Sequence, residues 1–82
     1  MPHYVYILQS LKDDRYYIGE TADVTRRLQF HNAGFQRSTK ARRPFKLVIM
    51  EEFSDRKSAL KREKEIKSWK GGIKFRELLQ GI

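Results

Sequence analysis

The chain has 82 residues, with 18 lysines and arginines against 10 acidic residues, a formal charge of +8, and no cysteine. A chain of this length has room for one core, so a single domain over 1–82 is expected; the lack of cysteine excludes a disulfide framework and a thiolate metal site, and no apolar run reaches the ~20 residues of a membrane span. The excess of positive charge points to a polyanionic partner, nucleic acid before an anionic membrane, and to a cytoplasmic protein.

Residues 3–21 open the chain as a β-hairpin. His3–Ser10 and Tyr16–Thr21 are rich in aromatic and β-branched residues, and the polar Leu11–Asp14 stretch separates them. Alternation places Tyr4, Tyr6 and Leu8 on one face of the first strand and Val5 and Ile7 on the other. On the second strand Tyr16 and Ile18 share a face, and Tyr17 and Gly19 share the opposite one. Tyrosines are good sheet residues in any hairpin. A glycine inside a strand is less ordinary, since it weakens the strand and marks a bulge or a close approach.

Thr21-Ala22-Asp23 supplies candidate N-caps for a first helix over Val24–Asn32, which Gly34 ends. Val24, Leu28 and His31 form its apolar stripe, bordered by Arg27. Taken singly, His31 reads as a packing histidine and Arg27 as a solvated charge covering the core edge with its stem. Gly34–Pro44 is a basic connection: five cations and no acid lie from Arg37 to Lys46. Such a loop favours an anionic partner, with Arg37, Lys40, Arg42 and Arg43 as phosphate contacts and the Thr39 hydroxyl beside them.

Phe45–Phe53 reads as a third strand whose Leu-Val-Ile-Met centre is expected to be buried on both faces. Ser54-Asp55 caps a long helix running to about Trp69, with Ala59 and Ile66 about 20° apart on its apolar stripe and Leu60 and Trp69 flanking them. Glu63 falls inside that stripe. An acid there is either paired, Lys67 at i+4 being the obvious partner, or holds a metal. Gly71-Gly72 breaks the helix, and a last helix over Ile73–Leu79 offers Ile73, Phe75, Leu78 and Leu79 for packing. The order β-β-α-β-α-α is too short of strands for a doubly wound sheet. It predicts an α+β fold, a three-stranded antiparallel sheet flanked by helices, with the first strand in the middle.

Tyr4-Val5-Tyr6, Tyr17-Ile18-Gly19, Arg27, His31 and Glu63 together resemble the motif set of the GIY-YIG nucleases, in particular their small stand-alone bacterial members. The resemblance covers Tyr4 to about Leu79. It implies a catalytic set of Tyr6, Tyr17, Arg27, His31 and Glu63, with Mg²⁺ or Mn²⁺ held by Glu63 and one strand hydrolysed. Tyr17 is the leading base with Tyr6 assisting. Arg27 neutralises the phosphate, and His31 relays a proton or binds phosphate. Two positions depart from the family: Tyr4 stands where the first motif has Gly, and Glu20 where some repair members carry Lys. An acid beside the catalytic tyrosine would raise its pKa.

The expectation is a metal-dependent endonuclease acting on DNA, branched or damaged DNA included. Its nucleic-acid contacts would come from Arg37, Thr39, Lys40, Arg42, Arg43 and Lys67. RNA and a protein that supplies targeting are further candidate partners; a membrane is not. The alternative is a module of the same fold that binds RNA or structured DNA and cleaves weakly or not at all. Glu63 discriminates, since a pure binder has no use for a buried acid.

Overall fold

Alternate residues of one strand meet different layers in the computed structural model, which describes residues 1–81. The elements are β1 (His3–Ser10), β2 (Tyr16–Thr21), α1 (Val24–Asn32), a 3-10 turn at Lys40–Arg42, β3 (Phe45–Phe53), α2 (Arg56–Trp69) and α3 (Ile73–Gln80). The three strands form one antiparallel sheet in the order β2-β1-β3, and the central strand is the most deeply buried. Local chemistry sets the helix starts. Asp23 accepts from the Arg26 amide at 3.0 Å and Asp55 from the Ser58 amide at 2.7 Å, each satisfying a donor the first turn leaves free.

Val5, Ile7 and Ile18 face α2 and α3, where they pack on Ala59, Ile66 and Phe75. Ile7 and Ile66 are fully buried, each contributing about 1.5–3 kcal/mol by removal from water. The other face carries Tyr6 and Leu8 against Val24 of α1 and Phe45, with Tyr4, Tyr17 and Leu28 around them. Tyr16 belongs to the first face, its ring edge-on to Phe75 at 5.3 Å.

Three packing expectations fail. The centre of β3 is not buried on both faces: Leu47 is 38% and Met50 54% exposed. This strand lies at the sheet edge, and its pairing with β1 shifts register between Ile7 and Leu8, leaving Val48 as an extra, bulged residue. Leu60 on α2 and Ile73 on α3 are also exposed, at 41% and 71%; the side chains these helices bury are Ala59, Ile66 and Phe75. No helix among the described residues is long and apolar enough to cross a membrane.

Candidate active site

Register places Tyr6 opposite Gly19, and the Tyr6 ring lies directly over that glycine. A β-carbon at position 19 would stand 2.4 Å from the Tyr6 hydroxyl oxygen. The close approach inferred for Gly19 is therefore made by the chain's own tyrosine. The hydroxyl reaches across to α1, 3.2 Å from His31 Nε2, and His31 Nδ1 lies 3.0 Å from Thr39 Oγ1. Thr39 donates to the Gln36 carbonyl at 3.3 Å, so it accepts from His31 Nδ1–H, and Nε2 is left to accept the Tyr6 hydroxyl proton. The tautomer is thus assigned by the bonding pattern.

This chain is deeply buried: Tyr6 is 1% exposed, His31 and Thr39 not at all. Burial is the main cause that pushes the Tyr6 hydroxyl up to about 12, with Tyr17 and the Glu63 charge adding to it and Arg27 opposing. Burial and the Arg27 charge hold the His31 imidazole down to about 4. At neutral pH both groups are uncharged, and Tyr6 is fixed as a hydrogen-bond donor.

Around this neutral core stand the groups open to solvent. Tyr17 is half-buried, its ring 4.7 Å from that of His31 and 6.3 Å from that of Tyr6. Its hydroxyl takes no partner among the described residues. Arg27 donates through Nη2 to Gln36 Oε1 at 3.3 Å, and its guanidinium lies 4.4 Å over the Phe30 ring. Glu63 bonds Lys67 Nζ through Oε2 at 2.6 Å, with the carboxylate side chain 15% and the lysine 54% exposed. Among the described residues no three acidic, histidine or cysteine side chains gather to hold a metal. A single carboxylate still suits a hard cation that keeps most of its water and shares substrate oxygens, so Glu63 fits such an ion, with Lys67 neutralising it meanwhile.

The basic loop divides into outward and inward residues. Arg37 and Lys40 are exposed and, with Lys12, Ala41 and Arg43, line a cleft of about 440 Å³; Lys12, from the hairpin turn, was not anticipated. Arg43 also donates to the last-turn carbonyl of Ala33 at 3.2 Å. Thr39 cannot meet a phosphate as expected, because its hydroxyl is buried on His31. Arg42 is turned inward too. Its carbonyl accepts from the buried Ser10 hydroxyl, its Nε sits 3.4 Å from Asp13 Oδ2, and its Nη2 points at the Tyr16 carbonyl at 3.5 Å. His31, fully buried with both nitrogens engaged, cannot bind phosphate; proton relay or positioning is what remains to it. Lys67, expected to contact nucleic acid, is occupied by Glu63. Glu20 does not crowd Tyr17: alternation sends it to the opposite face, where His3 Nδ1 at 2.8 Å and Arg56 Nε at 3.4 Å hold its carboxylate.

The β-hairpin thus carries paired tyrosines over a glycine, backed by a helix that supplies Arg27 and His31. The GIY-YIG catalytic domain matches residues 2–76, and the chain belongs to that family. It is 40% identical over 80 residues to UPF0213 protein SSP2268 of Staphylococcus saprophyticus, covering 96% of each chain. It is 48% identical over 68 residues to UPF0213 protein HQ_3675A of Haloquadratum walsbyi, covering 82% of this chain and 75% of the relative. The solution NMR structure of UPF0213 protein BH0048 from Bacillus halodurans is similar with a TM-score of 0.58 at 38% identity, over 99% of this chain and 84% of that one.

Proposed function

We propose that this domain is a divalent-metal-dependent endonuclease that hydrolyses DNA phosphodiester bonds. The observation that carries the reading is the Tyr6 hydroxyl. It is bonded to His31 at 3.2 Å with the Tyr17 ring beside both, so side chains from β1, β2 and α1 meet at one point.

Tyr17 has the uncommitted hydroxyl and is assigned as the group that accepts the proton of the attacking water. Tyr6, kept neutral by burial, holds the rim of the site rigid and donates no charge. His31 fixes the Tyr6 hydroxyl and is in turn fixed by Thr39. Arg27, a planar and permanently charged fork, faces the phosphate whose charge grows as the bond to water forms. A Mg²⁺ or Mn²⁺ ion bound through Glu63 would supply Lewis acidity at a phosphate oxygen. A second reading, a nucleic-acid-binding module without cleavage, has one observation in its favour: Lys67 already neutralises Glu63.

A cleavage panel of single-stranded, duplex, flapped and four-way DNA, with Mg²⁺, Mn²⁺ or EDTA, separates the two. Cleavage is expected in either metal and absent in EDTA and in Glu63→Gln. Mn²⁺ is expected to raise the melting temperature of the wild type and not of Glu63→Gln. In EDTA the variant should lose no more than ~0.5 kcal/mol, because the lysine of the pair is largely solvated. A wild type that gains no stability from Mn²⁺ and cuts nothing in the panel leaves the binding module as the better reading.

A further inference from the structure

Phe35 is 72% exposed, and apart from Met1 no large apolar side chain among the described residues is more so. Its position is set by the end of α1. Gly34 takes a left-handed φ of 84°, its amide bonds the His31 carbonyl at 3.1 Å, and the Phe35 amide bonds the Phe30 carbonyl at 3.3 Å. That pair of bonds is a Schellman motif, which brings the residue at position 35 against the one at position 30. The two rings meet at 5.6 Å between centroids, tilted by 37°. An aliphatic side chain would satisfy the motif equally well. The motif therefore explains where residue 35 sits, and leaves its aromatic face unexplained.

The ring stands at the outer end of a stack. Phe35 packs on Phe30, and the Arg27 guanidinium lies 4.4 Å over the other partner of that contact. Two aromatic contacts thus separate an exposed π-face from the cation assigned to the phosphate, a spacing within reach of adjacent nucleotides. The segment that follows the ring carries the exposed Arg37, Lys40 and Arg43 and no acid. A docking face for an apolar protein surface would not be ringed by unbalanced cations. A polyanion fits them, and the bare ring fits the face of a base. Bases in an intact duplex are already stacked on one another, whereas an unpaired base has a face to give.

We propose that Phe35 is a stacking platform for an unpaired base, and that the site is therefore matched to DNA with a single-stranded segment beside the target phosphate. The inference rests on the nuclease reading for its target phosphate, and on the ring and the loop for its binding. The test measures binding in EDTA, where no cleavage occurs, with an oligothymidylate of about 12 nucleotides, the scale of one single-strand site, and with a duplex of matched length. Phe35→Leu preserves the helix-end contact, so its melting temperature should match the wild type. Its affinity for the single strand should fall roughly 5- to 100-fold, the scale of one lost base–aromatic stack, with its duplex affinity changed less than about twofold. Phe35→Trp should restore single-strand binding. A 2-aminopurine base in the oligonucleotide should be quenched by the wild type and by Phe35→Trp but not by Phe35→Leu. If Phe35→Leu binds the single strand as well as the wild type, or loses single strand and duplex alike, the platform does not exist. The cleavage panel bears on the nuclease reading alone, so either inference can fail without the other.

Discussion

The two faces of the sheet are made from alternate residues of the same strands and share almost no chemistry. Toward α2 and α3 the chain sends Val5, Ile7 and Ile18, which meet Ala59, Ile66 and Phe75, side chains without a polar atom. Toward α1 it sends Tyr6 and Tyr17, which meet the buried His31 imidazole, itself bonded to the buried Thr39 hydroxyl. The first face gains free energy with every Å² removed from water. The second buries polar groups that cost stability unless each finds a partner. Each does, in sequence: Tyr6 to His31, His31 to Thr39, Thr39 to the Gln36 carbonyl. On the reading proposed above, this is the face that serves the chemistry, while it and the plain face alike bury core side chains.

Truncation on the plain face should separate the two most strongly. Ile66→Ala removes a fully buried side chain and is expected to cost about 2–5 kcal/mol, a large share of what a domain of this size has, in urea denaturation. Cleavage per folded molecule should stay at the wild-type level. If it falls in step with stability, the two faces are not independent.

A somewhat smaller effect comes from the polar face through pH. His31 titrates near 4 in the folded protein and near 6.5 when unfolded. Between those values the unfolded chain binds the extra proton, so stability is lost as pH falls from 6.5 to 4, by roughly 3 kcal/mol in total. The Asp13 and Asp55 carboxyls, held below their ordinary range by hydrogen bonds to backbone amides, add their losses only at lower pH. Melts recorded from pH 7 to 4.5 should therefore fall steadily in the wild type. His31→Gln, which can still meet Tyr6, should flatten the portion above about pH 5. A flat wild-type profile would mean that the imidazole is not shielded by α1 and the loop as described.

Much of this was legible from local pattern. Alternation put Tyr4, Tyr6 and Leu8 opposite Val5 and Ile7, Asp23 and Asp55 marked the helix starts, and Gly34 marked the end of α1. Gly19 pointed to a bulge or a close approach, and the second is what occurs, made by a side chain. What depended on distant partners was not legible. The exposure of β3 follows from its place at the sheet edge and its bulge at Val48, which no residue of that strand declares. Thr39 and Arg42 read as phosphate ligands because a basic loop suggests them, yet His31, Ser10 and the Tyr16 carbonyl turn them inward. Gln36, which holds Arg27, had no periodic relation to any site residue. Glu20 was within reach of the sequence alone, since alternation already placed it on the face away from Tyr17.

The central claim is that the proposed chemistry belongs to the tyrosine face, and Tyr17→Phe tests it most directly. The variant loses one hydroxyl and keeps its packing area. On whichever DNA of the panel is cut best, in Mg²⁺ or Mn²⁺, turnover is predicted to fall at least ~100-fold. DNA binding should stay close to wild type and stability within ~0.5 kcal/mol of it. Undiminished cleavage by the folded variant would contradict the account and remove Tyr17 from the mechanism.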